Sequence, residues 1–536
     1  MTTLFPHLSS TETAPTAQVI VARYLEYFTD GVNNGSIHPM VFPYYLWGYI
    51  ILVIYLCIPH QNSPIIHAAR WPILAYLTWF QWQLLWKCAT VNLGMGFVSG
   101  VLSIMVILLG WTWLVFRDPQ RDAKRLRRKK IQSSKPKYAE SEGTSMLSAD
   151  QNLRRRKPKS ETNDFPADIQ CIIADESYQY YWQPYPKNLW ERIPWVVDLV
   201  TNLKGVGWNW AISSLPAFPP EVLKSLGEPI PEDSYTGISS VGVKVFHTRG
   251  QLLRSQIPRI LVAFLALETT LLLMLKDPFF KFGVTTYALP SYLQILPHSI
   301  LRLYRQILEF CVITISLYIN TAMAAVVISG VFGPRIFGLC AEPWYWPSFW
   351  GSFSVVLERG LDGFWAGFWH QSFRILFTAP TRYLIKNDLL KPHSSATILC
   401  SLMIAFGLSA IMHWAGCIAF FINTDAVRMG LFFMVQPIGI LIQRALCAAF
   451  QPLLNKIPQN IRYAGNFLYV LAWLFLTSDL FTEELVRGGI TLLPASPVSI
   501  MQGLGFSETG PGWWSWPQLQ IRWHTGDKWW TSGLTI

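Results

Sequence analysis

Stretches free of charge and close to the length of a spanning helix, roughly 20 mostly apolar residues, recur between residues 39 and 481. Eight are predicted as spans: 39–59, 71–88, 91–116, 258–275, 308–331, 396–421, 429–450 and 463–481. The third and sixth are the clearest. The second and fourth are short or carry a charge, a pattern also compatible with a tilted or interfacial segment. The expected fold is all-α, a polytopic integral membrane protein of about eight transmembrane helices. Its parts are an N-terminal segment 1–38, three helices in 39–116, a polar loop 117–165, a core 166–481 with the remaining helices, and a tail 482–536.

Composition strengthens this picture. Of 536 residues, 51% are hydrophobic and 14% charged, well below the roughly one-quarter charged content of soluble domains. The net charge is +11, and the segment from Arg117 to Lys159 holds 15 Lys/Arg against 5 Asp/Glu, nearly the whole excess. A basic cluster just after an apolar span marks the cytosolic side and argues against a nucleic-acid partner. Its Ser/Pro-punctuated sequence without apolar periodicity is expected to be disordered. A lipid-headgroup or phosphorylation-controlled tether is its functional alternative.

With that loop cytosolic, three preceding spans put the N-terminus in the lumen, and the N-x-S sequon at Asn34 faces the glycosylating side. Residues 335–395 then lie in the cytosol and the C-terminus in the lumen. The first 38 residues lack a basic start followed by a short apolar core, so the first span is expected to serve as the membrane signal. The eight cysteines are single and mostly apolar in context, which points to buried hydrophobes and not to a disulfide frame or zinc site. Trp513, Trp514, Trp516, Trp523, Trp529 and Trp530 make the loop-like tail an expected interfacial apron. Membrane lipids are thus expected partners.

An ionisable residue inside a membrane is a functional hypothesis by default. Glu268, Arg444 and Asp479 read as structural, because they lie near span ends, in the doubtful fourth span or within snorkelling reach. His413 differs: no charged residue occurs between Lys391 and Asp425, and at 1.5 Å rise per residue it sits roughly 25 Å from Ala396. Ser409, Ala410, Ala415 and Gly416 leave room for a close helix or a substrate beside the ring. A packed, hydrogen-bonded histidine is the structural alternative. A second group, Trp365, Trp369 and Phe373, recurs every four residues as one aromatic stripe of a helix, with His370 and Arg374 at its polar edge.

Three elements then carry a resemblance. They are W-P-x-F-x-G-S at 346–352, L-x-x-F-W-x-x-F-W-H-Q-x-F-R at 361–374 and S-A-I-M-H-W-A-G at 409–416. In this order the chain resembles the wax-synthase-like branch of the membrane-bound O-acyltransferases, especially fungal members that acetylate terpenoid and meroterpenoid alcohols. L-K-G-V-G-W at 203–208 is similar to the family's L-R-G-x-G-W element, and a late P-V-S at 497–499 is followed by L-G-F and a Trp pair. The resemblance runs from about residue 195 to about 516. Relatives commonly show Ser and then F-W-G-R where this chain has Gly360 and Phe364-Trp365-Ala366-Gly367. The grip on coenzyme A phosphates is therefore expected to fall to Arg374 or Lys386.

The resemblance makes 166–481 an acyltransferase core in which acetyl-CoA, or another acyl-CoA, is co-substrate and a lipophilic alcohol is acceptor. A thiolate leaves readily, so the difficult step is removing the alcohol's proton. A neutral histidine is a suitable base for it, and His413 takes this role. His370 would orient the thioester carbonyl or bond the developing oxyanion. Trp365, Trp369, Gln371, Arg374 and Trp414 are the candidates for lining the acyl-CoA site or tunnel. No metal is implied, since no His/carboxylate spacing suggests ligation. The favoured reading is an acetyltransferase of secondary metabolism in the endoplasmic reticulum membrane. Long-chain wax or sterol ester synthesis shares the same site. A transporter or lipid-binding protein would be marked by internal repeats with broken helices, and none is found.

Overall fold

The structure is a computed structural model describing residues 14–130, 178–229, 236–283, 287–420, 422, 424–492, 496–506, 512–515 and 521–535. The main helices are α1 (Ala17–Asn33), α2 (Trp47–Cys57), α3 (Arg70–Lys87), α4 (Leu93–Trp111), α5 (Leu189–Thr201), α6 (Arg249–Lys276) and α7 (His298–Ala325). They are followed by α8 (Ser354–Gly363), α9 (Arg374–Lys386), α10 (Ser395–Ile418), α11 (Ala426–Ala449), α12 (Gln459–Thr477) and α13 (Asp479–Arg487). Four of the long helices begin at side-chain caps, which satisfy otherwise orphaned amides. Asn92 accepts from Met95 N, Thr248 from Gln251 N, Ser394 from Thr397 N, and Asp425 from Val427 N and Arg428 N.

The chain is a helical, multi-pass integral membrane protein. Among the described residues, five helices are long and apolar enough to cross a membrane: Leu93–Phe116, Arg249–Lys276, His298–Phe332, Ser395–Ile418 and Ala426–Ala449. α12 and α13 form a sixth if their 45° bend belongs to one span. The expected count of eight is therefore corrected to five or six. The first predicted span holds only a short apolar helix over Tyr44–Cys57, and α3 over Arg70–Lys87 is too rich in Trp, Gln and charge to qualify. The doubtful fourth run does qualify, as the 28-residue α6.

α2 and α3 nevertheless run along α4. Tyr45 Oη bonds Ser103 Oγ at 3.1 Å, while at the other end Gln120 Nε2 donates to Leu56 O at 3.1 Å and Arg70 to Leu114 O at 3.4 Å.

Three small sheets tie the ends. β1 (His38–Pro39) pairs in parallel with β3 (Cys88–Ala89). β2 (Val41–Phe42), β7 (Gly533–Thr535) and β6 (Arg522–His524) form an antiparallel sheet in that spatial order, joining the chain's two ends. The tail expected as loop therefore holds two short strands, because its alternating residues find a ready edge at β2. Trp513, Trp514, Trp523, Trp529 and Trp530 are exposed, and Trp516 lies outside the described residues. β4 (Arg125–Lys130) pairs antiparallel with β5 (Tyr178–Gln183). The basic loop expected to be disordered thus opens with an ordered strand, whose Arg128 is met by Glu342 and by the Tyr178 ring. Residues 131–165 and Cys171 lie outside the described residues.

α10 stands at the centre. Met412 and Ala415 pack into a core with α2, α3, α4, α5 and α9, while Phe406 and Ala410 join a second core with α8, α11 and α12. Its approach to α4 depends on small residues. A Cβ added at Gly100 would collide with the Ala415 carbonyl, and one at Gly416 would lie 2.7 Å from Phe97 Cε2. Small-on-small contact is the usual device for close helix packing in lipid.

Candidate active site

His413 lies on the tightly held part of α10. Its Nδ1 is 2.8 Å from the Ser409 carbonyl oxygen, one turn earlier. A carbonyl can only accept, so Nδ1 carries the proton and Nε2 keeps its lone pair. The ring stacks on Phe433 of α11, with centroids 4.1 Å apart, and meets Phe481 edge-on at 5.7 Å. By surface the His413 ring is half-buried. Trp414 points elsewhere, toward α3, stacking on Trp82 at 6.1 Å and touching Trp86 edge-on at 6.3 Å.

The second element is not the continuous helix its periodicity predicts. α8 leaves helical geometry at Gly360, continues as a wide π turn over Phe364–Phe368, and stops; α9 starts at Arg374. Trp365 and Trp369 still meet edge-on at 6.0 Å, but Phe373 belongs to the next helix's start, so the stripe is broken. The break is held by side chains. Gln371 Nε2 donates to the carbonyls of Trp365 and Trp369, and Arg374 donates to Ala366 O and to Gln371 Oε1. Gln371 and Arg374 are therefore occupied in shaping the turn that presents His370. Trp365 Nε1 reaches Gln436 Oε1 at 3.3 Å, and its ring meets Phe406 and Phe432.

His370 stacks on Phe349 at 5.5 Å and neighbours Trp350, Trp369 and Phe373. Its Nδ1 is buried without a hydrogen-bond partner. Burial first, then the nearness of Lys204 and His413, push its pKa down to about 3, so the ring is neutral at ordinary pH. Phe349 joins Lys204 to His370, its ring stacked on the imidazole and lying beneath the ammonium, and His413 lies within electrostatic reach of His370.

Gly360, the residue standing where relatives commonly show Ser, has φ +60°. A Cβ there would collide with the Gln443 amide, whose Oε1 accepts from Leu361 N at 2.9 Å. The departure at this position has a steric reason in this chain.

Lys204 sits on the loop after α5. Gly205 and Gly207 have φ of +70° and +76°; Cβ atoms there would lie 2.6 Å from the Trp210 ring and 2.8 Å from Tyr345. Asn202 Oδ1 accepts from Gly205 N, and Ile212 N donates to Lys204 O. The L-K-G-V-G-W sequence is thus read by a tight turn with large aromatics on both sides. Sequence reasoning quoted Lys204 without giving it a role, and it assigned nothing to Phe349 or Phe433. A lysine beside two glycines in an apolar element was the one available signal.

Other candidates have partners away from these residues. Glu268 accepts from the amides of Ile500 and Met501, capping a short helix. Asp479 pairs with Arg302 at 2.7 Å, and Arg444 with Asp362 at 3.0 Å. Lys386, 72% exposed, lies 3.9 Å from Asp122. Asn34 is exposed in the turn after α1, its Oδ1 accepting from Ser36 N.

The family described as membrane bound O-acyl transferase matches over residues 346–435, a segment holding both histidines. Acetyltransferase ataH of Aspergillus terreus is 28% identical over 141 residues, 26% of this chain and 45% of that protein. Acetyltransferase pyr8 of Aspergillus fumigatus is 27% identical over 150 residues, 27% of this chain and 35% of the other. O-Mevalon transferase macI of Penicillium terrestre is 24% identical over 238 residues, 42% and 46% of the two. The chain spans less than half the length of these curated relatives. No solved structure matches it. Over the segment that carries His370 and His413, this chain is similar to the membrane bound O-acyl transferase family.

Proposed function

We propose that the protein transfers an acyl group, acetyl in the favoured case, from acyl-CoA to a hydroxyl of a lipophilic acceptor in secondary metabolism. The observation that carries this reading is the free Nε2 of His413, left unprotonated by the Nδ1 bond to Ser409 O on a ring set against Phe433 and Phe481. Nε2 takes the alcohol proton as its oxygen adds to the thioester carbonyl. The C–O bond forms, the C–S bond breaks, and the proton ends on the departing sulfur. Two relatives bear the name acetyltransferase and one the name O-mevalon transferase; transfer to oxygen suits all three, and acetyl the majority.

The walls support the division of labour. Arg70, Arg117 and Lys386, with Asp118, line a cavity of about 160 Å³ beside the basic segment, chemistry suited to the phosphates of coenzyme A. A cavity of about 430 Å³ on α3 and α4 is lined by Trp71, Trp79, Trp82 and Trp111. Trp82 stacks on Trp414, the residue after His413, which suits entry of an apolar alcohol from lipid. Trp365, Trp369 and the phenylalanines around the histidines limit water and hence hydrolysis of the thioester. The endoplasmic reticulum, with the basic segment in the cytosol, is the expected site.

The test is expression in yeast membranes with labelled acetyl-CoA or palmitoyl-CoA and a panel of hydroxylated terpenoids, sterols and fatty alcohols, read by product mass. Ester from acetyl-CoA is expected. Ester from palmitoyl-CoA alone would replace the acetyl donor by a long-chain one. No ester from either donor across the panel would overturn the reading.

A further inference from the structure

One charged group near the two histidines has no part in the chemistry above. Three other enclosed cations have oxygen partners: Arg125 has Asp198 at 3.8 Å, Arg305 has Asp277 at 2.7 Å, and Arg192 has the carbonyls of Pro186 and Cys57. Lys204 has none among the described residues. Its Nζ lies over the Phe349 ring, 5.2 Å from the centroid, and no carboxylate acts on it; burial alone pushes its pKa down to about 8. Lys204 is half-buried by surface, and a cation–π contact, worth about 0.5–2 kcal/mol, is a weak partner for an ammonium that has lost part of its water. The loop is built to keep it there, with two left-handed glycines and aromatic rings filling the space a side chain would need.

We infer that Lys204 is a catalytic residue whose ammonium meets the negative charge created on the thioester during transfer. This rests on the acyltransferase reading. The geometry favours the thioester end of the donor over its phosphates. Phe349, which carries the ammonium on its face, is stacked on His370, and the Lys204 charge acts on His370. The cation cluster suited to phosphates, at Arg70, Arg117 and Lys386, lines a cavity whose walls include Trp113 but neither Lys204 nor His370.

When the alcohol oxygen adds, the carbonyl π pair moves to its oxygen, and the Lys204 N–H donates to that oxyanion. On collapse the C–S pair stays on sulfur, where the same ammonium meets the thiolate until the proton held by His413 reaches it. Lys204 begins and ends protonated, and no redox partner is needed. Preorganised charge in an enclosed site is the usual source of such stabilisation.

The experiment compares wild type, Lys204→Met and Lys204→Arg in membranes, with acetyl-CoA and with S-acetylpantetheine, a thioester lacking the phosphates. Thermal stability in detergent is measured alongside. Lys204→Met is expected to lower kcat by about 100-fold with both donors, to leave KM for acetyl-CoA within about threefold, and to keep or raise Tm, since an unpaired charge is removed. Lys204→Arg should recover part of kcat and move the alkaline limb of the activity profile above pH 8. A loss confined to KM for acetyl-CoA and absent with S-acetylpantetheine would make Lys204 a phosphate ligand and overturn the inference. So would unchanged kcat, or a fall in Tm matching the lost activity. If wild type forms no ester with any donor or acceptor, the acyltransferase reading fails first and this inference with it.

Discussion

The Nδ1 of His413 lies 2.8 Å from the carbonyl oxygen of Ser409, and this one backbone contact decides which ring nitrogen can act as a base. The bond is supplied by the helix itself, so no neighbouring carboxylate is required to set the tautomer. It also fixes the ring against Phe433.

Removal of that base should separate chemistry from folding. His413→Ala is expected to reduce ester formation by about 100-fold or more at equal abundance in the membrane. His413→Gln, which keeps a hydrogen-bonding amide, should be equally inactive. Wild-type turnover in both variants would reduce His413 to a packing residue.

His370 should leave a mark on acid stability. Its folded pKa is pushed down to about 3 from an ordinary 6.5, so between these values the unfolded chain binds a proton that the folded chain does not. The associated stability is fully present above pH 6.5 and is lost as pH falls toward 3. Tm in detergent, followed from pH 7 to pH 4, should fall less steeply for His370→Gln than for wild type. Parallel curves would mean that the ring is not held neutral.

At Gly360, introducing the serine common in relatives should destabilise this chain. The φ of +60° and the adjacent Gln443 amide both oppose a Cβ, at a cost of about 1–3 kcal/mol for the backbone alone. Gly360→Ser paired with Gln443→Ala should recover the collision but not the backbone strain. A serine variant as stable as wild type would show that α8 can reorganise here.

Arg117 tests the donor's phosphate end. Burial and nearby Arg382 push its pKa down to about 10, so it still carries its charge at neutral pH. Arg117→Ala should raise KM for acetyl-CoA about tenfold, the loss of one charge-assisted contact, and leave KM for S-acetylpantetheine unchanged. Equal effects on both donors would place the phosphates elsewhere.

The membrane class, the basic segment and the two histidine elements were legible because each is local. Apolarity over a run of residues, a block of charge, and a histidine among uncharged neighbours need no knowledge of distant partners. Even so, local counting made 39–59 and 71–88 into spans. Pattern alone does not reveal that Tyr44–Cys57 is short or that α3 leans on α4 through Leu74 and Leu77. The expected stripe of Trp365, Trp369 and Phe373 likewise assumed a helix that ends before His370, where Gln371 and Arg374 satisfy the freed carbonyls instead.

Sequence by itself therefore determined the solvent this chain is built for and the residue types available for chemistry. Tertiary structure alone decided the protonated nitrogen of His413, the rings that wall it, and the meeting of residues 204, 349 and 370. The physical reason is that apolar burial and charge act on neighbours along the chain. A site is made by close contact between helices far apart in sequence, and here Gly100 and Gly416 allow that contact by presenting no side chain between α4 and α10.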